Sequence, residues 1–386
     1  MSSQPEYITY GPKGCFKRRV VEEGEPGWRP TFTEIPVVSF KHIYGTLEQR
    51  KEIAAKLCKI AEEVGFFYAS DTGIPEDLIV RLTEFVDETF SVMRDFFTKL
   101  TPEQKAQASW SKTPGVRGYE PFAEAQAAAQ TTASLRESFC IGDDILEPEQ
   151  KFVGQIPDGV QPQNIWPEAC PQLRTQLYKY YAQVKPFGHA LLGIFALALG
   201  LEENAFYDEY KFPIFGMRAL HYPSQAAEEE SLGLGAHTDA SSFTLVCQEP
   251  GSGTALEVLN LNGKWIPAPV VKGTTFVCNT GDFLELVSNG RFVSTVHRVS
   301  NKSGSERYSL PYFLAPDPAV TIKPILPSPD TISKFNPINI GDYYAHRIFS
   351  VREYHPTAVY LKENNIPEEK WKYEILQGIL PKAIAA

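Results

Sequence analysis

The chain has 386 residues, of which 43% are hydrophobic and 22% charged, the balance of an ordinary globular protein, so global disorder is excluded. Thirty-seven Lys and Arg against 47 Asp and Glu leave a net charge of −10, which argues against non-specific binding to nucleic acid, because that needs a basic footprint. The length allows one large domain or two ordinary ones, and 30 prolines with 27 glycines point to many turns and long loops around a β-rich core.

The first residues, Met1 to Tyr7, lack a charged stretch followed by an apolar one, so no secretory signal is expected. Residues 1–45 are irregular apart from a short strand at Ile35-Pro-Val-Val-Ser-Phe40. From Thr46, a candidate N-cap, Ile53, Leu57, Ile60, Ala61 and Val64 fall at helical spacing, and Gly65 closes that helix. Phe66 to Ala69 reads as a buried strand. A second helix is expected from about Pro75 to Leu100, with Met93, Phe96 and Leu100 on its apolar face. Residues 106–135 are poor in apolar side chains and end in an Ala/Gln-rich run, which reads as a mobile loop or surface segment. A third helical region covers about 169–200, broken or bent at Pro186. Its apolar end, Ala190 to Leu199, is too short to span a bilayer.

After Lys211 short β-rich segments recur between Gly, Pro and Asn. They are Phe215 to Tyr222, Phe243 to Gln248, Ala255 to Leu259, Thr274 to Asn279, Arg291 to Ser300 and Tyr308 to Leu314, the pattern of an antiparallel sandwich or barrel. Residues 341–374 return to helical character. The expected organisation is one domain over 1–386, with a largely helical region at 35–210, the β core at 211–320 and a helical extension at 321–386. Six scattered cysteines (Cys15, Cys58, Cys140, Cys170, Cys247, Cys278) without a CxxC pair fit reduced thiols and a cytoplasmic protein.

The chemistry is concentrated in the β-rich part. His237-Thr238-Asp239 places an imidazole and a carboxylate at i and i+2, which point to one side of an extended segment. A third ligand from a distant strand would complete a facial His-His-carboxylate set. Such a set leaves three adjacent positions open, as an iron(II) site needs in order to bind a cosubstrate and O2. Taken alone, the triplet reads equally as a surface His beside a turn-capping Asp. His297 sits in a strand-like run, Phe292 to Ser300, and taken alone reads as a structural strand His. Ten and twelve residues later come Arg307 and Ser309, again at i and i+2. Arg307 suits either an ordinary salt bridge or a two-pronged grip on a carboxylate, but with Tyr308, Leu310 and Tyr312 around it a buried charge would need a partner.

Together these residues resemble the 2-oxoglutarate and iron(II)-dependent dioxygenase superfamily, and its isopenicillin N synthase-like branch in particular. The resemblance rests on His237, Asp239, His297, Arg307 and Ser309 at their joint spacing. It extends to Ile35–Phe40, Glu63–Tyr68, Arg117-Gly-Tyr119, Leu135–Phe139 and Met217–Pro223, so that it covers roughly residues 35–350. It implies a mixed α and β fold, a distorted double-stranded β-helix, or jelly-roll, core surrounded by helices. It implies iron(II) held by His237, Asp239 and His297, with 2-oxoglutarate and O2 as cosubstrates. The distal carboxylate of 2-oxoglutarate would meet Arg307 and Ser309, with the Tyr222 hydroxyl. One departure stands out: Leu220 occupies a position where relatives often carry Asn.

The implied reaction is oxidation of a C–H bond in a small organic molecule by hydroxylation, desaturation or ring formation. It would release succinate and CO2, and secondary-metabolite biosynthesis is the expected setting. An oxidative cyclase that uses O2 without 2-oxoglutarate, and a catalytically silent jelly-roll binding protein, are the alternatives. Arg117, Tyr119, Glu124 and Glu137 are candidates for the substrate side, and Phe243, with Leu245, either lines the pocket there or packs the barrel. Glu137 needs a partner if buried and is an ordinary salt bridge if not. His221 points away from Tyr222, and His346 with Arg347 read as packing or exposed residues near the C-terminal end.

Overall fold

The computed structural model of the chain describes residues 6–10, 16–72, 76–113, 115–122, 134–142, 164–213, 216–225, 232–302 and 304–372. An antiparallel pair, β1 (Tyr7–Tyr10) and β2 (Phe16–Arg19), comes first. Strand β3 (Val37–Ser39) then lies parallel to β4 (Phe66–Ser70), with helix α1 (Leu47–Glu63) as the crossover. Thr46 caps α1 as expected. Its hydroxyl accepts from Gln49 N while the Gln49 side chain accepts from Thr46 N, so two otherwise unpaired donors are satisfied. Gly65, at φ +69°, ends the turn; a Cβ there would lie 2.4 Å from Val293 O, so the close approach requires glycine.

Helix α2 (Glu76–Lys99) follows, with Phe90, Met93, Phe96 and Phe97 buried. The expectation of a mobile or surface segment at 106–135 is corrected for its described part. Helix α3 (Pro102–Ala106), a single 3-10 turn at Trp110–Lys112 and strand β5 (Gly118–Glu120) are all ordered, and β5 with its partner β6 (Glu137–Ile141) is fully buried. Low apolar content misleads here because Arg117, Glu120, Glu137 and Ser138 are buried alongside Trp110, Val116, Tyr119 and Phe139. The Ala/Gln-rich run itself lies outside the described residues.

Helix α4 (Pro171–Ala198) runs unbroken through Pro186. Proline removes one backbone hydrogen bond, but Leu173, Leu177 and Tyr181 before it and Phe187, Leu191 and Phe195 after it are all buried, and that packing outweighs the loss. Burying each such side chain contributes about 1.5–3 kcal/mol.

The remaining strands are β7 (Met217–Tyr222), β8 (Leu234–His237), β9 (Phe243–Gln248), β10 (Leu256–Leu259), β11 (Trp265–Pro267) and β12 (Thr274–Thr280). A short helix, α5 (Asp282–Val287), precedes β13 (His297–Val299) and β14 (Arg307–Leu314). The strand expected over Arg291 to Ser300 is thus short. Its first half hydrogen-bonds the end of α1 instead, Val293 N to Ala61 O and Thr295 Oγ1 to Val64 O.

Two sheets result, one of eight strands in the order β3-β4-β12-β9-β14-β7-β6-β5 and one of four in the order β11-β10-β13-β8. Both contribute side chains to a shared cavity between them, as in a jelly-roll. The region before residue 211, expected to be largely helical, supplies four strands of the larger sheet. The outer face of that sheet packs on α4, where Phe187 stacks on Phe276 and Phe195 on Phe243. Beyond the core, β15 (Thr321–Ile322) and β16 (Ile338–Asn339) pair, and α6 (Ile340–Ser350) and α7 (Pro356–Glu363) follow. No helix among the described residues is long and apolar enough to cross a membrane.

Candidate metal centre and cosubstrate cavity

Strands β8 and β13 are antiparallel neighbours, and His237 and His297 are paired in their register. The two rings therefore stand side by side, with centroids 4.2 Å apart. Asp239, two residues beyond His237, brings Oδ1 to 3.6 Å from His237 Nε2 and 3.7 Å from His297 Nε2. Among the described residues this is the one group of three or more His, Cys, Asp or Glu whose ligand atoms lie within 4.8 Å of one another.

Each imidazole is oriented by its own strand. His237 Nδ1 lies 2.8 Å from Gly235 O and His297 Nδ1 3.0 Å from Thr295 O, so Nδ1 carries the proton and Nε2 is left bare toward the shared point. Burial, with His237 alongside, pushes His297 down to about 4, which keeps it neutral at physiological pH. Burial opposes ionisation of Asp239, but the adjacent His297 and His237 and the Thr244 hydroxyl hold its carboxyl well below the usual range. The other oxygen, Oδ2, accepts from Thr244 Oγ1 at 2.6 Å and Asn279 Nδ2 at 2.8 Å. Two bare imidazole nitrogens and one fixed carboxylate oxygen on one side of a point are the donor set of a facial iron(II) site.

The same cavity is lined by Tyr222, Arg307 and Ser309, with Phe66, Leu220, Leu234, Val246, Leu256 and Val299 supplying apolar walls. Arg307 is 2% exposed. Its guanidinium donates to Gln248 Oε1 at 2.9 Å and Ser309 Oγ at 3.3 Å and lies 5.0 Å over the Tyr222 ring, and Nε has no acceptor. Among the described residues no carboxylate pairs with it. A buried cation with only neutral partners and a free edge fits a carboxylate brought by a ligand. This is the fit that a dicarboxylic cosubstrate requires.

Residues 213–316 match the model of the 2OG-Fe(II) oxygenase superfamily, and residues 35–169 match that of the non-haem dioxygenase in morphine synthesis N-terminal region. Homoarginine-6-hydroxylase 2-ODD-C23 of Glycine max is 30% identical over 309 residues, covering 76% of this chain and 89% of its own length. The chain belongs to the 2OG-Fe(II) oxygenase superfamily. Another similar oxygenase, the 2-oxoglutarate-Fe(II) type oxidoreductase hxnY of Emericella nidulans, is 31% identical over 321 residues, covering 80% of this chain and 88% of that one. Among solved structures, a full-length Neurospora crassa protein in complex with alpha-KG has a TM-score of 0.66 at 27% identity, covering 81% of this chain and 95% of that one. The jelly-roll core expected for an oxygenase of this superfamily is the fold observed.

Of the residues expected on the substrate side of this oxygenase, those described do not line the cavity. Phe243 packs on Phe195, because alternation along β9 sends Thr244 and Val246 inward and Phe243 and Leu245 outward. Arg117 is buried beside Gly142. Glu124 lies outside the described residues. Tyr119 and Glu137 belong to a buried network on the outer side of the sheet. Glu137 accepts from Tyr119 Oη at 2.6 Å, His221 Nδ1 at 2.8 Å and Lys105 Nζ at 2.9 Å. His221 thus has the structural role its strand position implied. Burial would raise the Glu137 carboxyl, but His221, Tyr119 and Lys105 together hold it below its ordinary 4.5, so its stabilisation is present above that pH and is lost as pH falls through the lowered value. Glu137→Ala strands Lys105 and is expected to cost about 3–5 kcal/mol, read as a lower urea midpoint at pH 7.

Two supporting residues, Thr244 and Asn279, went unremarked in the sequence, and a third, Arg347, was read there only as a packing or exposed residue. Thr244 and Asn279 hold Asp239, and Arg347 of α6 donates to Thr238 O at 2.8 Å, bracing the backbone between two candidate ligands. The inward phase of β9 and β12 could have singled out the first two. Nothing local marks Arg347, which arrives from more than a hundred residues away.

Proposed function

We propose that His237, Asp239 and His297 hold iron(II) and that Arg307, with Ser309 and Tyr222, receives the distal carboxylate of 2-oxoglutarate. The observation that carries this reading is the buried guanidinium of Arg307 with its unpaired edge, in the same cavity as the three ligands. With O2, the iron and 2-oxoglutarate pair supplies oxidation of a substrate C–H bond coupled to formation of succinate and CO2. The chain's part is positional. The Gly235 and Thr295 carbonyls fix the two rings, Thr244 and Asn279 hold Asp239 in one orientation, and the apolar walls keep water from the reacting centre.

The substrate is a small organic molecule, the oxidation being hydroxylation, desaturation or ring closure. Relatives named for hydroxylation of homoarginine, and fungal oxidoreductases such as hxnY, support that class and a place in secondary metabolism. The test is turnover of candidate small molecules with iron(II), reductant and O2. Succinate and oxidised product are expected in about equal amounts, and omitting 2-oxoglutarate is expected to stop both. Product at full rate without 2-oxoglutarate returns the oxidative-cyclase alternative.

A further inference from the structure

The cavity-facing side of the larger sheet continues past the cosubstrate end. In β7, Tyr222 and Leu220 line the cavity, and Arg218, two residues earlier, points to the same side. In β6, Ser138 pairs with Leu220 and Cys140 with Arg218, and in β5 Glu120 pairs with Ser138, so these residues share that face. Glu137 is paired with His221, which sets the preceding Arg136 beside Tyr222 on the cavity side.

Three guanidinium groups gather here around a single carboxylate. Arg218 Nη1 donates to Glu120 Oε2 at 2.9 Å, Arg352 Nε donates to Oε1 at 2.7 Å, and Ser138 Oγ donates to Oε2 at 3.0 Å. Arg136 Nη1 stands off at 3.7 Å, and its Nε, fully buried, has no acceptor. All four charged residues are buried, Arg136 to 7% exposure. Glu120 neutralises one of the three cations, so among the described residues two positive charges stay uncompensated within the cluster. Burying a guanidinium in that condition is costly unless an anion completes it, and the flat Nε edge is shaped for a carboxylate. Leu220 and Tyr222, on the same face of β7 as Arg218, line the cavity of the metal ligands, and Leu220 presents hydrocarbon there.

We propose that Arg136, backed by Arg218 and Arg352, is an anion subsite that receives the carboxylate of the molecule being oxidised. The substrates are then organic acids, anchored at this cluster with their hydrocarbon part lying across Leu220 toward the metal. This rests on reading the cavity as the oxygenase site, and the two readings fail separately in the experiment below.

The protein loaded with iron(II) and saturated with 2-oxoglutarate, kept free of O2, is titrated calorimetrically with hexanoate, 3-phenylpropanoate and indole-3-acetate, each beside its neutral amide. Saturation with 2-oxoglutarate keeps Arg307 occupied, so that added acids report on another site. At least one acid is expected to bind about ten- to a hundred-fold more tightly than its amide. Arg136→Met is expected to bring that acid down to the amide's affinity while iron content and 2-oxoglutarate binding stay at wild-type values. Arg136→Lys, which keeps the charge and loses the flat edge, is expected to fall between them, and it decides the matter if the Met variant does not fold. Equal affinity of every acid and its amide, no binding of any acid, or wild-type acid binding in the Arg136 variants overturns the proposal. Failure of the unmodified protein to bind 2-oxoglutarate overturns the cavity reading instead.

Discussion

Asp239→Ala is expected to lose iron and turnover together while the fold survives. Asp239 Oδ1 is the anionic member of the set, within 3.7 Å of both histidine Nε2 atoms, so its removal leaves two neutral imidazoles to hold a dication. The residues behind it set the scale for comparison. Asn279→Ala or Thr244→Val removes one hydrogen bond to Oδ2 and is expected to weaken iron binding by about 10–100-fold. Asp239→Ala is expected to exceed either, with iron below detection after dialysis and no succinate formed. Metal analysis and circular dichroism on the same samples separate loss of iron from loss of fold. Wild-type iron content and activity in Asp239→Ala would remove the metal assignment.

Arg307→Leu is expected to raise the 2-oxoglutarate requirement by about ten- to a hundred-fold, the fold-change equivalent of losing a charge-assisted hydrogen bond worth about 1.5–3 kcal/mol. The effect on the free protein has the opposite sign. Without 2-oxoglutarate, Arg307 is a buried cation whose partners are Gln248, Ser309 and Tyr222, none of them charged, and burial drives its pKa down from the ordinary value. Replacing it by a hydrocarbon side chain relieves that desolvation, so ligand-free Arg307→Leu is expected to melt no lower than the wild type. 2-Oxoglutarate should raise the melting temperature of the wild type and barely move that of the variant. Arg307→Lys recovers part of the affinity, because a point charge does not reproduce the two-pronged geometry. Iron content is expected to be unchanged in both variants. A variant that loses iron, or whose 2-oxoglutarate requirement matches the wild type, would contradict this role.

The sequence disclosed the inner part of this site and not its surroundings. His237 and Asp239 at i and i+2, and Arg307 and Ser309 likewise, are local signals that alternation along a strand converts directly into convergence. The pairing of His237 with His297 needs the β8–β13 register, which sixty intervening residues conceal. Helix α1 was legible because its capping residues and apolar spacing are local. The segment around β5 and β6 was not, because buried ion pairs share its packing with a few scattered apolar side chains such as Trp110 and Phe139. Glu120, Arg136, Arg218 and Arg352 look like surface residues until four separate stretches of chain meet. Phe243 reads as a pocket residue from sequence because an aromatic in a β segment carries no label for inward or outward until the neighbouring Thr244 is seen to hold Asp239.

The most direct test is an anaerobic titration of 2-oxoglutarate into the iron(II)-loaded protein, followed by calorimetry and visible absorption and repeated on protein stripped of metal. One 2-oxoglutarate per iron is expected, with a charge-transfer band that grows in step with the heat, and binding to the stripped protein should be much weaker because Arg307 then holds one end of the molecule alone. Equal binding with and without iron, or no binding to the loaded protein, would contradict a cavity in which the metal ligands and Arg307 serve the same cosubstrate.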